Sequence, residues 1–317
     1  MATAVEPEPA EPVSCNLCGV SCTTIWCYVK ESSDPHATPV FQGSKRFPVV
    51  RCQECGLVYV SPRYTPEQLR AIYRDETLFT ASSDPDGRRR SYLDEREARQ
   101  VALRRLLAWL EETSPGGRLL DVGAGPGFFL DLLGDRWEGE GIEPSPFAAA
   151  HAREELGCEV RLGEFVPGLY PERSFAALTM LQVLDHLPDP MGSLREARRL
   201  LQPGGVLLLS SLVNIESFCA RVFREGYRLL APNHLYYFSP RTVGKMLEAA
   251  GFEVLEIRFP YLGTPYCSAR EISRLVGRTL KVTVSRLWGG PRQPVLSPPF
   301  YGNMMDVMAR KAEAQGE

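Results

Sequence analysis

Apolar residues along this chain switch between two periods, and the switching sets out an architecture before any motif is read. From Arg118 onward, short apolar runs alternate with segments of helical spacing. The runs predict strands near 118–122, 139–142, 158–162, 175–181, 204–211, 252–259 and 303–310, each bounded by turn residues. The helical segments fall near 127–134, 146–156, 191–201 and 240–250. Strands separated by helices in this way call for an α/β fold, a mostly parallel sheet covered on both faces. Upstream, Leu93, Ala98, Val101, Leu103, Leu106, Leu107 and Leu110 predict an amphipathic lead-in helix from Ser91 to about Thr113, stopped by Ser114-Pro-Gly-Gly117. Thr65 and Pro66 open a shorter helix through Tyr73, and Leu57–Val60 reads as a strand. Residues 261–302 break the alternation with an amphipathic piece, Ser268 to Leu287, and then a Pro-rich stretch. That piece is read as a packing helix; a helix lying on a membrane surface is the alternative.

Composition narrows the partners. The 317 residues are 44% hydrophobic and 24% charged with a net charge of −3, so no general polyanion-binding surface is implied. Arg88–Arg90 is read as a solvated lead-in to the helix. Residues 1–13 are rich in Glu and Pro and are expected to form a disordered tail rather than a signal peptide. No apolar run approaches the ~18 residues needed to span a bilayer. A cytoplasmic, reducing location is therefore expected, and there nine cysteines argue for metal or free thiols over disulfides.

The cysteines are patterned. Cys15-x-x-Cys18-Gly and Cys52-x-x-Cys55-Gly are two knuckles separated by 33 residues. A glycine after the second cysteine permits the tight turn that aims two sulfurs at one ion. Four thiolates suit tetrahedral Zn2+ in a closed, structural site. Residues 14–62 are thus read as a zinc-binding module of zinc-ribbon type. Cys22 and Cys27 are read as ordinary thiols, with substitution as ligands left open.

Candidate chemistry centres on Leu119-Leu-Asp-Val-Gly-Ala-Gly-Pro-Gly127 and Gly141-Ile-Glu-Pro-Ser145. A strand, a glycine turn and a second strand ending in a carboxylate bind an adenosine-containing cofactor at the carboxyl edge of a parallel sheet. The glycines run Gly123-x-Gly125-x-Gly127, and Asp121 sits just before them. A carboxylate there would repel a dinucleotide pyrophosphate but suits the ammonium and sulfonium of S-adenosyl-L-methionine. Glu143, 22 residues after Asp121, stands at the offset of an acid that grips ribose hydroxyls.

With these marks the chain resembles the class I S-adenosylmethionine-dependent methyltransferases, and among them bacterial members with an N-terminal C-x-x-C zinc module. Further marks are Arg51-Cys52-x-x-Cys55-Gly-Leu-Val-Tyr59, Gln182-Val-Leu-Asp-His-Leu-Pro-Asp189, Leu201-Gln-Pro-Gly-Gly205, Asn233-His-Leu-Tyr-Tyr-Phe-Ser239 and Ala250-Gly-Phe252. The resemblance covers about residues 14–260 and returns at 303–311. It implies a Rossmann-like seven-stranded sheet whose last strand is antiparallel and inserted between two others. The expected layout is a tail (1–13), the zinc module (14–62), a helical linker with the lead-in helix (63–117) and the methyltransferase domain (118–317), with 261–302 inserted before the last strand. Asp121, Gly123 and Gly125 would line the methionine part of the cofactor, Glu143 would hold the ribose, Glu164 or Phe165 would lie near the adenine, and Gln182 and Val183 would border the sulfonium; Ala124, Gly127 and Pro144 complete the expected cofactor site. Two departures from the family pattern are Ala176, where an Asp usually follows Phe, and Asp185, where a Glu usually precedes the histidine.

Methyl transfer from a sulfonium needs alignment within about 3–3.5 Å and exclusion of water. An oxygen or carbon nucleophile must also lose a proton, and histidine is the base suited to neutral pH. His186, past the fourth strand, and His234, in a polar-aromatic loop after the fifth, are the catalytic candidates; the alternative is that they hydrogen-bond a loop in place. His36 and His151 are expected to be solvated. Tyr236 and Tyr237 are read as loop packing. Similar sugar C-methyltransferases use a histidine base but carry a further C-terminal domain, so their substrate is not carried over. The reading is a methyltransferase acting on an O or C atom of a small molecule. An RNA methyltransferase gripping nucleic acid through the zinc module is disfavoured by the acidic balance. A non-catalytic S-adenosylmethionine-binding regulator is the third alternative. Oligomeric state is not legible.

Overall fold

The alternation downstream of the lead-in helix folds into a single seven-stranded sheet in a computed structural model, which describes residues 12–31, 45–80, 82–83, 89–261, 267–289 and 295–313. Most of the expected tail, His36, Arg88 and the first part of the Pro-rich stretch lie outside these residues. Three strands come first, β1 (Thr23–Lys30), β2 (Arg46–Cys52) and β3 (Val58–Val60), followed by α1 (Pro66–Arg74), α2 (Thr77–Thr80), a two-residue hairpin β4 (Ser82–Ser83) and β5 (Arg89–Arg90), and α3 (Arg96–Thr113). The main alternation is β6 (Gly117–Val122), β7 (Trp137–Glu143), α4 (Pro146–Glu154), β8 (Glu159–Leu162), β9 (Phe175–Leu181), α5 (Pro190–Leu200), β10 (Leu201–Val213), α6 (Phe218–Phe223), β11 (Tyr236–Tyr237), α7 (Pro240–Ala249), β12 (Phe252–Arg258), α8 (Ala269–Leu287) and β13 (Met304–Lys311).

The sheet runs β12-β13-β10-β9-β6-β7-β8. β6 to β10 pair in parallel, whereas β13 is antiparallel to both β10 and β12, between which it lies. The period-2 rule splits neighbouring apolar residues between two cores. Leu119, Ala177, Val206 and Leu208 meet Leu106, Trp109 and Leu110 of α3 on one face. Leu120, Leu178, Leu207 and Leu209 meet Leu194 and Ala197 of α5 and Val243 and Leu247 of α7 on the other. Four helices open alike. Thr65, Ser145, Asp189 and Ser239 each accept a hydrogen bond from the first turn, and a proline follows each of them. The side chain satisfies an orphan N–H and the proline supplies a helix-ready φ.

One expected helix is absent. Over 127–134 only a single 3-10 turn forms, Leu130–Leu132. Gly127 has φ +86°, which the right-handed helix does not allow, and Leu133 is already extended at ψ 133°, so the segment is too short for a second turn.

The cysteine knuckles stand beside a second sheet, β1-β2-β3-β11. Its fourth strand, Tyr236–Tyr237, comes from the loop after β10 and pairs with Tyr59 and Val58. Asn16 donates to Asp189 Oδ1 (2.8 Å) and accepts from Met191 N (2.8 Å), and Arg241 donates to the Cys55 carbonyl (3.1 Å). The knuckle region is therefore stitched to α5 and α7, and its apolar residues share one core with the main sheet.

Candidate active site

The carboxyl edge of the parallel strands gathers the charged and polar residues picked from the sequence. Asp121 ends buried at 2% exposure, and Thr179 on the neighbouring strand donates to its Oδ1 at 2.5 Å. Burial with the Glu143 charge nearby pushes its carboxyl up to about 7, against the pull of the Thr179 hydrogen bond. Such a group gains from a cation delivered to it. Glu143 is also buried, and its pKa is raised by desolvation. Its two oxygens accept from Gly125 N and Ser145 N, both at 2.8 Å. A carboxylate has about four lone-pair sites, so the carboxylate is oriented by two backbone amides and still has capacity for a diol.

The glycine loop lets the backbone pass close under this edge. Gly123 has φ +71°, and a Cβ there would lie 2.5 Å from Val183 Cγ2. Gly123 and Val183 are thereby in direct apposition. Gln182 carries a positive φ of +62° and donates its N–H to the Ser210 carbonyl at 3.0 Å. Such strained backbone clusters at functional sites. Glu164 and Phe165 follow β8 on the same edge; Glu164 is exposed and lies 4.0 Å from Arg70, and Phe165 packs on the core. Pro144 directly precedes Ser145, the N-cap of α4.

His186 and His234 meet edge to face, ring centres 4.6 Å apart. Nδ1 of His186 faces the Asn233 carbonyl at 3.0 Å and Nδ1 of His234 the Leu229 carbonyl at 2.9 Å. A carbonyl only accepts, so Nδ1 is the donor in each ring, and a ring without a second proton has its lone pair on Nε2. Burial lowers the His234 pKa to about 4, helped by repulsion from His186, which keeps that ring uncharged. Asp185, 1% exposed, has an Oδ1 with no hydrogen-bond partner, 3.9 Å from His186 Nε2. The imidazoles and this carboxylate form one cluster.

Two aromatic residues escaped the sequence reading. Tyr73 of α1 stands edge-on to His186 with ring centres 6.2 Å apart, its hydroxyl buried and unpartnered. Tyr92 stacks on Phe128 at 5.7 Å, with the Arg99 guanidinium 3.6 Å from its ring centre. The charges of Asp185 and Glu143 raise the Tyr73 pKa on top of desolvation, and those of Asp121 and Glu143 act likewise on Tyr92. The lead-in segment therefore covers the cleft. His151, expected in solvent, is half-buried, with Nδ1 3.1 Å from the Pro126 carbonyl. Tyr236 and Tyr237 pack the loop as expected, with their hydroxyls bound to the Pro188 and Ala231 carbonyls.

The four knuckle cysteines also converge, their sulfurs all within 4.8 Å of one another. Cys15 and Cys55 lie 3.4 Å apart at sulfur, and Cys18 and Cys52 3.5 Å. Tetrahedral zinc with Zn–S near 2.3 Å separates sulfurs by about 3.8 Å, so the cage suits that ion. Cys22 is exposed and donates to Gln53, and Cys27 is buried on β1; neither joins the cluster.

Comparison with known proteins agrees with the fold. The family described as "methyltransferase domain" matches residues 92–257. A ubiquinone biosynthesis O-methyltransferase of Pseudomonas aeruginosa is 29% identical over 169 residues, 47% of this chain and 71% of the relative. A Mycobacterium methyltransferase is 38% identical over 112 residues, 34% of this chain and 44% of the relative. Among solved structures, a chain from the complex of the Haloferax volcanii Trm112 methyltransferase activator with a methyltransferase has a TM-score of 0.51 at 19% identity, covering 69% of this chain and 92% of that one. The chain belongs to the methyltransferase-domain family and is a class I S-adenosylmethionine-dependent methyltransferase.

Proposed function

We propose that the protein transfers the methyl group of S-adenosylmethionine to an ionisable oxygen of a small-molecule acceptor, with His186 as the general base. The observation that carries this is the pair of imidazoles at the carboxyl edge, each oriented by a backbone carbonyl, with buried Asp185 beside them. The name of the Pseudomonas relative favours oxygen over carbon as the nucleophile. In this reading Asp121 and the loop of Gly123, Ala124, Gly125 and Gly127 would receive the cofactor's ammonium. Glu143 and Pro144 hold the ribose, Glu164 and Phe165 border the adenine, and Gln182 and Val183 flank the sulfonium. Bound S-adenosylmethionine supplies an electrophilic methyl group. The acceptor hydroxyl gives its proton to His186 Nε2, the imidazolium is stabilised by the Asp185 carboxylate, and neutral His234 fixes the acceptor from the side. Tyr73 and Tyr92 exclude water above the reacting atoms. Cys15, Cys18, Cys52 and Cys55 would hold a structural zinc ion, and the knuckles would then brace the loop carrying His234 through β3 and β11.

The acceptor is found by incubating metabolite pools with isotope-labelled methyl donor and identifying the labelled product by mass spectrometry. With that acceptor, His186→Asn is expected to lower kcat by roughly 10²–10⁴-fold, the range of a lost general base, with donor affinity unchanged. Turnover unaffected in both His186→Asn and His234→Asn removes the histidine base.

A further inference from the structure

We propose that α8 is a membrane-docking helix that seats the enzyme on a bilayer surface rich in anionic lipid. The sequence pattern allowed an ordinary packing helix, whose apolar stripe faces inward. In the structure α8 has two apolar sides. Leu275 and Val282 are buried at 7% and 4% exposure and hold the helix to the body, where it lies against α6, and Arg278 donates to the Leu296 carbonyl at 2.9 Å. These anchors fix which side points out. On that outer side stand Ile272, Val276, Leu280, Val284 and Leu287, exposed by 47%, 54%, 59%, 53% and 79%. At about 100° per residue they span an arc of roughly 120°, which they share with exposed Ser273 and Thr283, the width of an amphipathic stripe. Trp288, just past the helix, is 86% exposed and extends the row. Together these are six of the fourteen large apolar side chains exposed among the described residues, so the patch is concentrated rather than scattered.

Charge selects the occupant. Ala269–Leu287 holds five basic residues, Arg270, Arg274, Arg278, Lys281 and Arg286, against one acid, Glu271, in a chain whose net charge is −3. Arg270 and Lys281 are exposed, and the helical wheel puts them beside the apolar arc. An apolar face bordered along one side by basic residues and ended by an indole matches the interface of anionic phospholipid, where the indole settles at headgroup level. A second copy of the chain would bring like charge against like charge. No helix among the described residues is long and apolar enough to cross a membrane, so the contact is peripheral. Through Leu296 the helix reaches Ser297, which donates to the Gly226 carbonyl at 2.7 Å and accepts from Arg228 N at 3.1 Å. That places the body-facing side of the helix, opposite the docking face, next to the loop leading to His234.

The test is flotation of the full chain with vesicles of phosphatidylcholine alone and of phosphatidylcholine with one-third phosphatidylglycerol. Binding to the anionic vesicles is expected to be at least tenfold stronger and to weaken with salt. The Val276→Asp/Leu280→Asp double variant is expected to lose at least tenfold. Lys281→Glu is expected to lose the preference for anionic lipid. Trp288 emission shifts to the blue on binding, and Trp288→Phe removes that change. These side chains are exposed, so melting temperature and S-adenosylmethionine affinity stay as in the parent and exclude misfolding as the cause. Equal recovery with and without vesicles overturns the proposal. A concentration-dependent dimer abolished by the double variant, without vesicle binding, overturns it in favour of self-association. Retention only by an acidic protein overturns it in favour of that partner.

Discussion

Asp121→Asn is expected to weaken S-adenosylmethionine binding by roughly 10–100-fold, the loss of one charge-assisted contact at 1.5–3 kcal/mol. The pH dependence identifies the cause. Burial lifts the Asp121 carboxyl to about 7 in the free protein, and a bound cation favours its ionised form. Donor affinity should therefore fall by up to about tenfold per unit as pH drops below about 7, and the Asn variant should remove that slope. Stability runs the other way. A carboxyl whose folded pKa lies above its unfolded value near 3.9 binds its proton more tightly when folded, so its contribution is lost as pH rises from about 4 to about 7. The free Asn variant should accordingly melt higher than the parent at pH 8, while binding the donor worse. A stabilising change that removes affinity marks a site held for its ligand. Thermal melts with and without donor at pH 5.5 and 8 measure both effects.

Zinc removal carries the second large effect. Freshly purified protein is expected to contain about one zinc ion per chain, and a strong chelator or Cys52→Ser to lower the melting temperature by about 10 °C or more. Structural zinc in small peptides is worth roughly 10–16 kcal/mol; here part of that holding is taken over by the shared core, so the drop is smaller than full unfolding. Val58 and Tyr59 pair with Tyr237 and Tyr236, three and two residues from His234, so loosening β3 also disorders the histidine loop. Turnover should fall further than donor affinity. A ratio of zinc to protein near zero, with an unchanged melt, contradicts the four-thiolate assignment.

How far these features were legible depends on the range over which their causes act. Strands β6, β7, β9, β10, β12 and β13 lie within a few residues of the apolar runs because their burial is written locally. Asp121 and Glu143 were legible because glycine spacing and strand ends fix them at one edge. The knuckles were legible because two paired spacings carry their own geometry. β1 was not, since its burial alternates only in its second half, and β11 was not, since two residues in a loop become a strand only when β3 lies beside them. The 127–134 helix failed on one backbone angle at Gly127. Tyr73 sits on a correctly expected helix, yet which face covers the cleft is decided by packing. The same holds for α8, where periodicity reveals an apolar stripe without saying which side meets the body.

The central claim is that an acid-edged turn takes a cationic methyl donor. Calorimetric titration of the purified chain at neutral pH tests it most directly. Heat from S-adenosylmethionine and from S-adenosylhomocysteine, with none from NADH, is the expected result. Saturable NADH binding with no heat from either sulfur compound would contradict the account.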